Sequence, residues 1–202
     1  AQRLVMAGQV RVDGQVVLIP ASLIPETARL EIEHGSPFVS RGGEKLAAAL
    51  RVFAFDPAGL VCADVGASTG GFTDCLLQNG AAKVYAIDVG KGILHWKLRQ
   101  DQRVVVMEKT NARFVERLPE PIDLVTIDTS FISLKVLLPA VKDWLATPGK
   151  RCSGGLCPPS PSVIALIKPQ FEAGRAQAAR GEGVIRDPAI HRQVLGEILQ
   201  FA

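Results

Sequence analysis

Short apolar runs alternate with helix-like segments from residue 60 onward, and this alternation is the feature that most constrains the fold. The strand-like runs span residues 60–65, 83–88, 104–108, 122–128 and 163–167. The helix-like segments span residues 94–99, 134–145 and 188–201, and a further one follows the glycine-rich loop after the first run and ends at about residue 79. Because the strand-like runs are apolar almost throughout, helices are expected to cover both faces of the sheet. The sequence therefore predicts an α/β protein with a doubly wound parallel sheet.

Residues 1–35 have a pattern of their own. Val10–Val17 alternates around Asp13-Gly14, a dipeptide typical of a tight β-hairpin, and Pro20 ends the pattern. A helix is predicted over residues 41–50. At roughly 150 residues per domain, the 202 residues divide into a small N-terminal part, 1–35, and a main domain, 36–202.

Composition excludes several classes of protein. With 48% hydrophobic and 21% charged residues, the chain is neither disordered nor collagen-like. No apolar run approaches the roughly 18 residues of a membrane span, so no membrane partner is expected. The four cysteines lack the spacing of a metal site or a disulfide framework, which predicts no metal and a cytoplasmic location.

A glycine-rich segment, Asp64–Thr73, follows the first strand of the main domain and opens a helix. Asp88 ends the next strand about 20 residues further on, the spacing at which a Rossmann-like unit places an acidic residue on ribose hydroxyls. Ser68 occupies the position of the middle glycine, which dinucleotide enzymes need for close approach to a pyrophosphate. The segment therefore favours a cofactor without phosphate, such as S-adenosylmethionine. The alternative is a tight strand–helix turn without a ligand.

Further polar residues follow the later strands, at the edge where open α/β sheets bind ligands. Asn111 follows the third strand and is suited either to an adenine edge or to capping a turn. Asp128 and Lys168 follow the fourth and fifth strands, so both are expected to point into one crevice. Alternatively, Asp128 caps the next helix and Lys168 is a solvated strand end.

These motifs, in this order, closely resemble the TlyA/hemolysin A family of FtsJ-like ribose 2′-O-methyltransferases acting on ribosomal RNA. The resemblance covers nearly the whole chain and rests on Ser40–Leu46, Asp64–Thr73, Lys109–Arg113, Asp128–Leu134 and Ile167–Glu172. It implies a Rossmann-like fold and S-adenosylmethionine as cofactor. The cofactor-binding residues that the resemblance implies are Asp64, Gly66, Ser68, Thr69, Gly70, Gly71, Phe72, Asp88, Asn111 and Asp128.

The resemblance also implies a Lys-Asp-Lys-Glu catalytic tetrad, of which Lys45, Asp128 and Lys168 match the first three members. A ribose hydroxyl needs its proton removed, and a lysine can act as base when a second cation lowers its pKa. We therefore predict Lys168 as base, Lys45 as the group that lowers its pKa and orients the ribose, and Asp128 as the group that aligns both lysines. The fourth member, a glutamate on a late strand, has no counterpart before the chain ends.

The resemblance implies ribosomal RNA, with cytidine as the nucleotide, or ribosomal subunits as partners. The N-terminal hairpin resembles the last part of an S4-type RNA-binding domain, but residues 1–60 carry six basic and six acidic residues. Basic residues instead gather in residues 91–117 and 168–192, which are candidate RNA contacts. The alternatives are a nicotinamide-dependent oxidoreductase on the same sheet, and a non-catalytic RNA-binding or hemolysin-type protein.

Overall fold

The structure is a computed structural model that describes residues 1–6, 8–32, 37–147, 160–174 and 184–202. The chain forms two compact units, residues 1–37 and 38–202. Residues 150–161 are rich in Gly, Pro and Ser, which predicts a loop, and all but the last two lie outside the described residues. The basic residues Arg175 and Arg180 also lie outside them.

The first unit contains one short helix and a small antiparallel sheet. Its elements are α1 (Gln2–Met6), β1 (Val10–Val12), β2 (Gln15–Val16) and β3 (Leu30–Ile32), with the strand order β2-β1-β3. Asp13 and Gly14, both with positive φ, turn the chain from β1 to β2, as a two-residue hairpin requires. The Asp13 carboxylate also accepts a hydrogen bond from the Arg29 amide at 2.9 Å. The likeness of this unit to an S4 domain stays a prediction.

The second unit is an α/β domain with strands and helices in alternation. Its elements are α2 (Gly42–Val52), β4 (Val61–Val65), α3 (Gly71–Gln78), β5 (Lys83–Ile87), α4 (Trp96–Arg99), β6 (Val104–Met107), β7 (Leu124–Ile127), α5 (Leu134–Lys142), β8 (Ser162–Ala165), α6 (Pro169–Glu172) and α7 (Pro188–Phe201). A 3₁₀ helix, Ala112–Phe114, follows β6.

The five strands of this unit form one parallel sheet in the order β6-β5-β4-β7-β8. The chain runs outward from β4 to β6 and then returns to the other side of β4 to form β7. The topology changes direction between β4 and β7, where open α/β sheets leave a crevice at the carboxyl ends of their strands. The predicted Rossmann-like, doubly wound parallel sheet is confirmed.

Apolar layers cover both faces of the sheet, as the near-continuous apolar runs predict. Cys62, Val84 and Leu124 face a cluster that includes Leu46 of α2 and residues of α3 and α4. The opposite face packs against α5 and α7. Every residue of β4 is buried, so the polar groups at its end are held by a rigid centre of the fold.

Two elements differ from the sequence prediction. Helix α5 ends at Lys142 rather than at residue 145, because the chain turns there and Leu145 pairs with Ile122 beside the start of β7. The stretch after Lys168, whose sequence lacks the periodicity of a helix or strand, begins with the single turn α6. Pro169 takes the first position of this turn, where its missing N–H costs no hydrogen bond.

Candidate active site

The turn between β4 and α3 begins the site. Gly66 has φ 85°, and a Cβ there would lie 2.9 Å from the carbonyl oxygen of Asp128. Gly70, with φ 97°, precedes α3 and packs so close to Leu98 that a Cβ would overlap its side chain. The glycines at these two positions allow a left-handed backbone and a close approach to the neighbouring strand and helix.

Asp64 does not reach the surface of the crevice, although it was predicted to bind cofactor. Its carboxylate is fully buried and accepts hydrogen bonds from the Thr73 amide at 2.9 Å and the Thr73 hydroxyl at 2.7 Å. Thr126 of β7 adds a third contact at 3.3 Å. Burial raises the pKa of Asp64 to about 6, although the bonds from Thr73 and Thr126 oppose the rise. Asp64 therefore ties β4 to α3 and β7.

Asp88 lies at the end of β5, opposite the glycine-rich turn. Its two carboxylate oxygens accept hydrogen bonds from the amides of Ser68 and Gly90, each at 2.7 Å. Ser68 has φ 51°, a left-handed conformation that turns its amide toward this carboxylate. Asp88 thus joins the two loops that border the crevice, and its oxygens keep further lone pairs for a ligand.

Asn111 caps the 3₁₀ helix that follows β6. Its Oδ1 accepts a hydrogen bond from the Arg113 amide at 3.1 Å. The residue also lines a cavity together with Asp88. The structure therefore confirms the capping interpretation, whereas contact between Asn111 and an adenine edge stays a prediction.

A cluster of two lysines around one carboxylate forms the centre of the site. Lys168 Nζ lies 2.6 Å from Asp128 Oδ1, and Lys45 Nζ lies 3.5 Å from Asp128 Oδ2. Lys168 Nζ also donates a hydrogen bond to the Ser130 hydroxyl at 3.1 Å. Lys45 is the more exposed lysine, with 52% of its side chain accessible against 19% for Lys168. The three residues come from α2, the end of β7 and the segment after β8.

The alternative roles for Asp128 and Lys168 do not match these positions. Ser133, not Asp128, caps α5 by accepting a hydrogen bond from the Lys135 amide. Lys168 is largely buried rather than a solvated strand end. Asp128 Oδ1 is buried and contacts the Lys168 ammonium at 2.6 Å.

Two adjoining cavities, of about 890 Å³ and 550 Å³, form the crevice. Both are lined by Gly66, Ser68, Asp128 and Ser130, so these residues stand where the cavities meet. The larger also contains the predicted residues Lys45, Thr69, Gly71, Phe72 and Lys168. The smaller adds Asp88, Asn111 and apolar side chains that suit a flat ring, namely Ile87, Val89, Ile93 and Ile132.

Sequence reasoning missed several residues of the crevice. Ser130 contacts the Lys168 ammonium, and Arg41 lines the larger cavity four residues before Lys45. Phe131 has φ 67° and is 91% exposed, while its ring lies 5.2 Å from that of Phe171. All four residues lie within the motifs that carry the family resemblance, which was the available signal.

The described residues contain no group of three or more His, Cys, Asp or Glu side chains that could hold a metal ion. Across the same residues, no helix has the length and apolar character needed to cross a membrane.

The fold and the site together define a class of protein. It is a group-transfer enzyme that binds a nucleoside-containing cofactor, given the parallel sheet, the glycine-rich turn, the acidic residue at the next strand end and the lysine–aspartate–lysine cluster.

Comparisons with known proteins give the family. The model of the FtsJ-like methyltransferase family matches residues 38–202, and the chain belongs to this family. The putative rRNA methyltransferase YqxC of Bacillus subtilis is 44% identical over 210 residues, which cover 100% of this chain and 69% of that protein. The 16S/23S rRNA (cytidine-2′-O)-methyltransferase TlyA of Mycobacterium tuberculosis is 45% identical over 200 residues, covering 96% of this chain and 70% of TlyA.

A solved structure gives the same relationship. A putative hemolysin from Streptococcus thermophilus superimposes with a TM-score of 0.74 at 43% identity, covering 100% of this chain and 70% of that one. The predicted family and the predicted methyltransferase activity are confirmed, and S-adenosylmethionine is the cofactor. The oxidoreductase alternative is therefore not retained.

Proposed function

We propose that this protein methylates the ribose 2′-hydroxyl of a cytidine in ribosomal RNA, with S-adenosylmethionine as methyl donor. The observation that carries the proposal is the cluster of Lys45, Asp128 and Lys168 at one end of a crevice whose other end is bordered by Asp88 and Asn111. The cluster suits a proton transfer, and the other end suits a nucleoside. Ribosomal RNA is the substrate in the names of YqxC and TlyA.

The residues of the crevice fit this cofactor. Asp88 has oxygen lone pairs for the ribose hydroxyls, and the amide of Asn111 suits an adenine edge. The turn formed by Gly66, Ser68, Thr69, Gly71 and Phe72 borders the larger cavity. Asp128 lines both cavities, so its carboxylate can contact the cofactor as well as the two lysines. When bound, S-adenosylmethionine supplies an electrophilic methyl group on a sulfonium.

Lys168 acts as the general base in this proposal. Once Nζ has lost its own proton, its lone pair accepts the proton of the 2′-hydroxyl, which makes the ribose oxygen nucleophilic. Asp128 and Ser130 hold Nζ in place, at 2.6 Å and 3.1 Å. Lys45 contacts the other oxygen of Asp128 and is exposed enough to meet the ribose or a phosphate. Most of the rate is expected to come from holding the two reactants in line.

Aromatic and basic side chains around the crevice suit an RNA strand. Phe131 presents its ring to solvent beside the cluster, and such a ring can stack on a nucleotide base. The Arg113 guanidinium lies 5.1 Å from the centre of the exposed Phe114 ring, close to the cavity that Asn111 lines. We infer that the RNA crosses this edge of the sheet. Ribosomal subunits as partners and a cytoplasmic location belong to the same proposal.

Replacement of Lys168 by alanine tests the proposal. We expect methyl transfer from labelled donor to ribosomal RNA to fall by roughly 10²–10⁴-fold, the usual contribution of a general base. The Kd for S-adenosylmethionine should change by less than about threefold, since the base acts on the acceptor. The control is Lys142→Ala, at the exposed end of α5. Equal loss of binding and transfer, or unchanged transfer, would contradict the assignment.

A further inference from the structure

Glu172 joins the two segments that carry Asp128 and Lys168. It is the last residue of α6, the single turn that begins directly after Lys168. Its Oε1 accepts a hydrogen bond from the Leu134 amide at 2.7 Å, and its Oε2 accepts one from the Ser133 hydroxyl at 2.5 Å. Both partners lie at the start of α5, which follows the segment begun by Asp128.

The start of α5 is a strong binding position for this carboxylate. The first amides of a helix have no partner within the helix, and they carry a partial positive charge. Ser133 satisfies the Lys135 amide with its hydroxyl oxygen, while Glu172 satisfies the Leu134 amide. The hydroxyl proton of Ser133 then goes to Glu172, so one carboxylate completes the cap of a nine-residue helix.

The segments that follow β7 and β8 are also joined where they begin, by the contacts of Lys168. Lys168 contacts Asp128 and Ser130, and the rings of Phe131 and Phe171 lie 5.2 Å apart. The ends of β7 and β8 are therefore linked by the lysine on one side and by Glu172 on the other. Lys168 itself has a long, flexible side chain, whose placement depends on where its backbone is held.

We propose that Glu172 is a positioning residue for methyl transfer, which sets the placement of Lys168 by holding α6 on the start of α5. The inference rests on the proposed function and adds a residue to it. Glu172 is not assigned as the fourth member of the tetrad, because it lines neither cavity of the crevice and its oxygens bond to α5. It works through the backbone of the segment that carries the base.

The expected effect is on the rate of transfer rather than on binding. A shift of about 1 Å in a reacting group can reduce the rate by roughly 10²-fold. Glu172→Ala frees α6 from α5 and is expected to lower kcat by about 10- to 100-fold. The KM for S-adenosylmethionine and the Kd for S-adenosylhomocysteine should stay within about threefold, because neither Asp88 nor the turn after β4 contacts Glu172.

Two further variants separate positioning from stability alone. Glu172→Gln keeps an oxygen for the Leu134 amide, but its NH2 group cannot accept the Ser133 hydroxyl proton, so kcat should fall clearly less than in Glu172→Ala without returning fully to the wild-type value. Glu197→Ala is the matched control, because Glu197 also contacts α5, through Lys135 at 2.8 Å, but lies on α7. Its kcat should be unchanged.

The experiment measures kcat, KM, the Kd for S-adenosylhomocysteine and the melting temperature of the full chain and these variants, with assays well below the melting temperatures. Unchanged kcat in Glu172→Ala would overturn the inference, and so would parallel losses of kcat and binding or an equal loss in Glu172→Gln. Wild-type protein that transfers no methyl group to ribosomal RNA would overturn the proposed function and this inference with it.

Discussion

Replacing Gly66 by alanine would place a methyl group 2.9 Å from the carbonyl oxygen of Asp128 and 3.1 Å from its carbonyl carbon. Both are backbone atoms of the strand end that carries the Asp128 carboxylate, so they cannot rotate away as a flexible side chain would. The substitution also imposes a left-handed backbone, φ 85°, on a residue with a Cβ. Gly66→Ala therefore strains the junction between β4 and β7.

The backbone strain and the close contact together should lower the stability of the folded protein substantially. A left-handed conformation costs an ordinary residue roughly 1–2 kcal/mol. An extra methyl group in a closely packed site typically costs about 1–3 kcal/mol. We therefore expect Gly66→Ala to reduce the free energy of unfolding by about 2–5 kcal/mol. Since the displaced atoms belong to Asp128, binding of S-adenosylhomocysteine should weaken by more than about tenfold.

Gly59→Ala is the matched control, because Gly59 has φ 73° but a Cβ there meets no atom within 4 Å. It is expected to cost only the backbone strain, about 1–2 kcal/mol, and to leave ligand binding unchanged. Urea unfolding and calorimetric titration measure the two effects. Equal destabilisation by the two variants, or unaltered binding in Gly66→Ala, would refute the reasoning about the close contact with Asp128.

Two further predictions follow from buried acidic groups. Because burial raises the pKa of Asp64 to about 6, the folded protein binds a proton more tightly than the unfolded chain, and stability from this group is lost as pH rises through 6. Lowering the pH from 7 to 5 should raise the free energy of unfolding by about 1 kcal/mol in wild type but not in Asp64→Asn. Urea unfolding at both pH values measures this difference, and an equal rise in the two proteins would contradict the prediction. Burial also raises the pKa of the Cys75 thiol to about 11. Iodoacetamide should therefore label Cys75 only when the protein unfolds, as followed by peptide mass spectrometry. Rapid labelling of the native protein would contradict this prediction.

The sheet was predictable because its signals are local. Apolar runs with covered faces, each followed by a turn and a helix, specify parallel strands joined by crossovers. Asp88 and Asp128 were predictable for the same reason, since each directly follows a strand whose carboxyl end lies at the crevice. Lys45 has no such signal, because it lies on α2, before the first strand of this sheet, and only the family resemblance pointed to it.

The remaining features depend on contacts between distant parts of the chain. Asp64 has the sequence context of a cofactor-binding residue, but the hydrogen bonds from Thr73 and Thr126 keep it inside the protein. Glu172 meets Ser133 and Leu134 only after β7 and β8 pair in the sheet. No local pattern encodes such a contact, so only the structure shows the cap that joins the segments carrying Asp128 and Lys168.

The position of the transferred methyl group tests the central claim most directly. Ribosomal RNA is incubated with labelled S-adenosylmethionine and the full chain, and then digested with alkali. A 2′-O-methyl group blocks the attack of that hydroxyl on the neighbouring phosphate, so the label should appear in an alkali-resistant dinucleotide that begins with cytidine. It should be absent with Lys168→Ala. Label released in single nucleotides would show methylation of a base and would contradict the account.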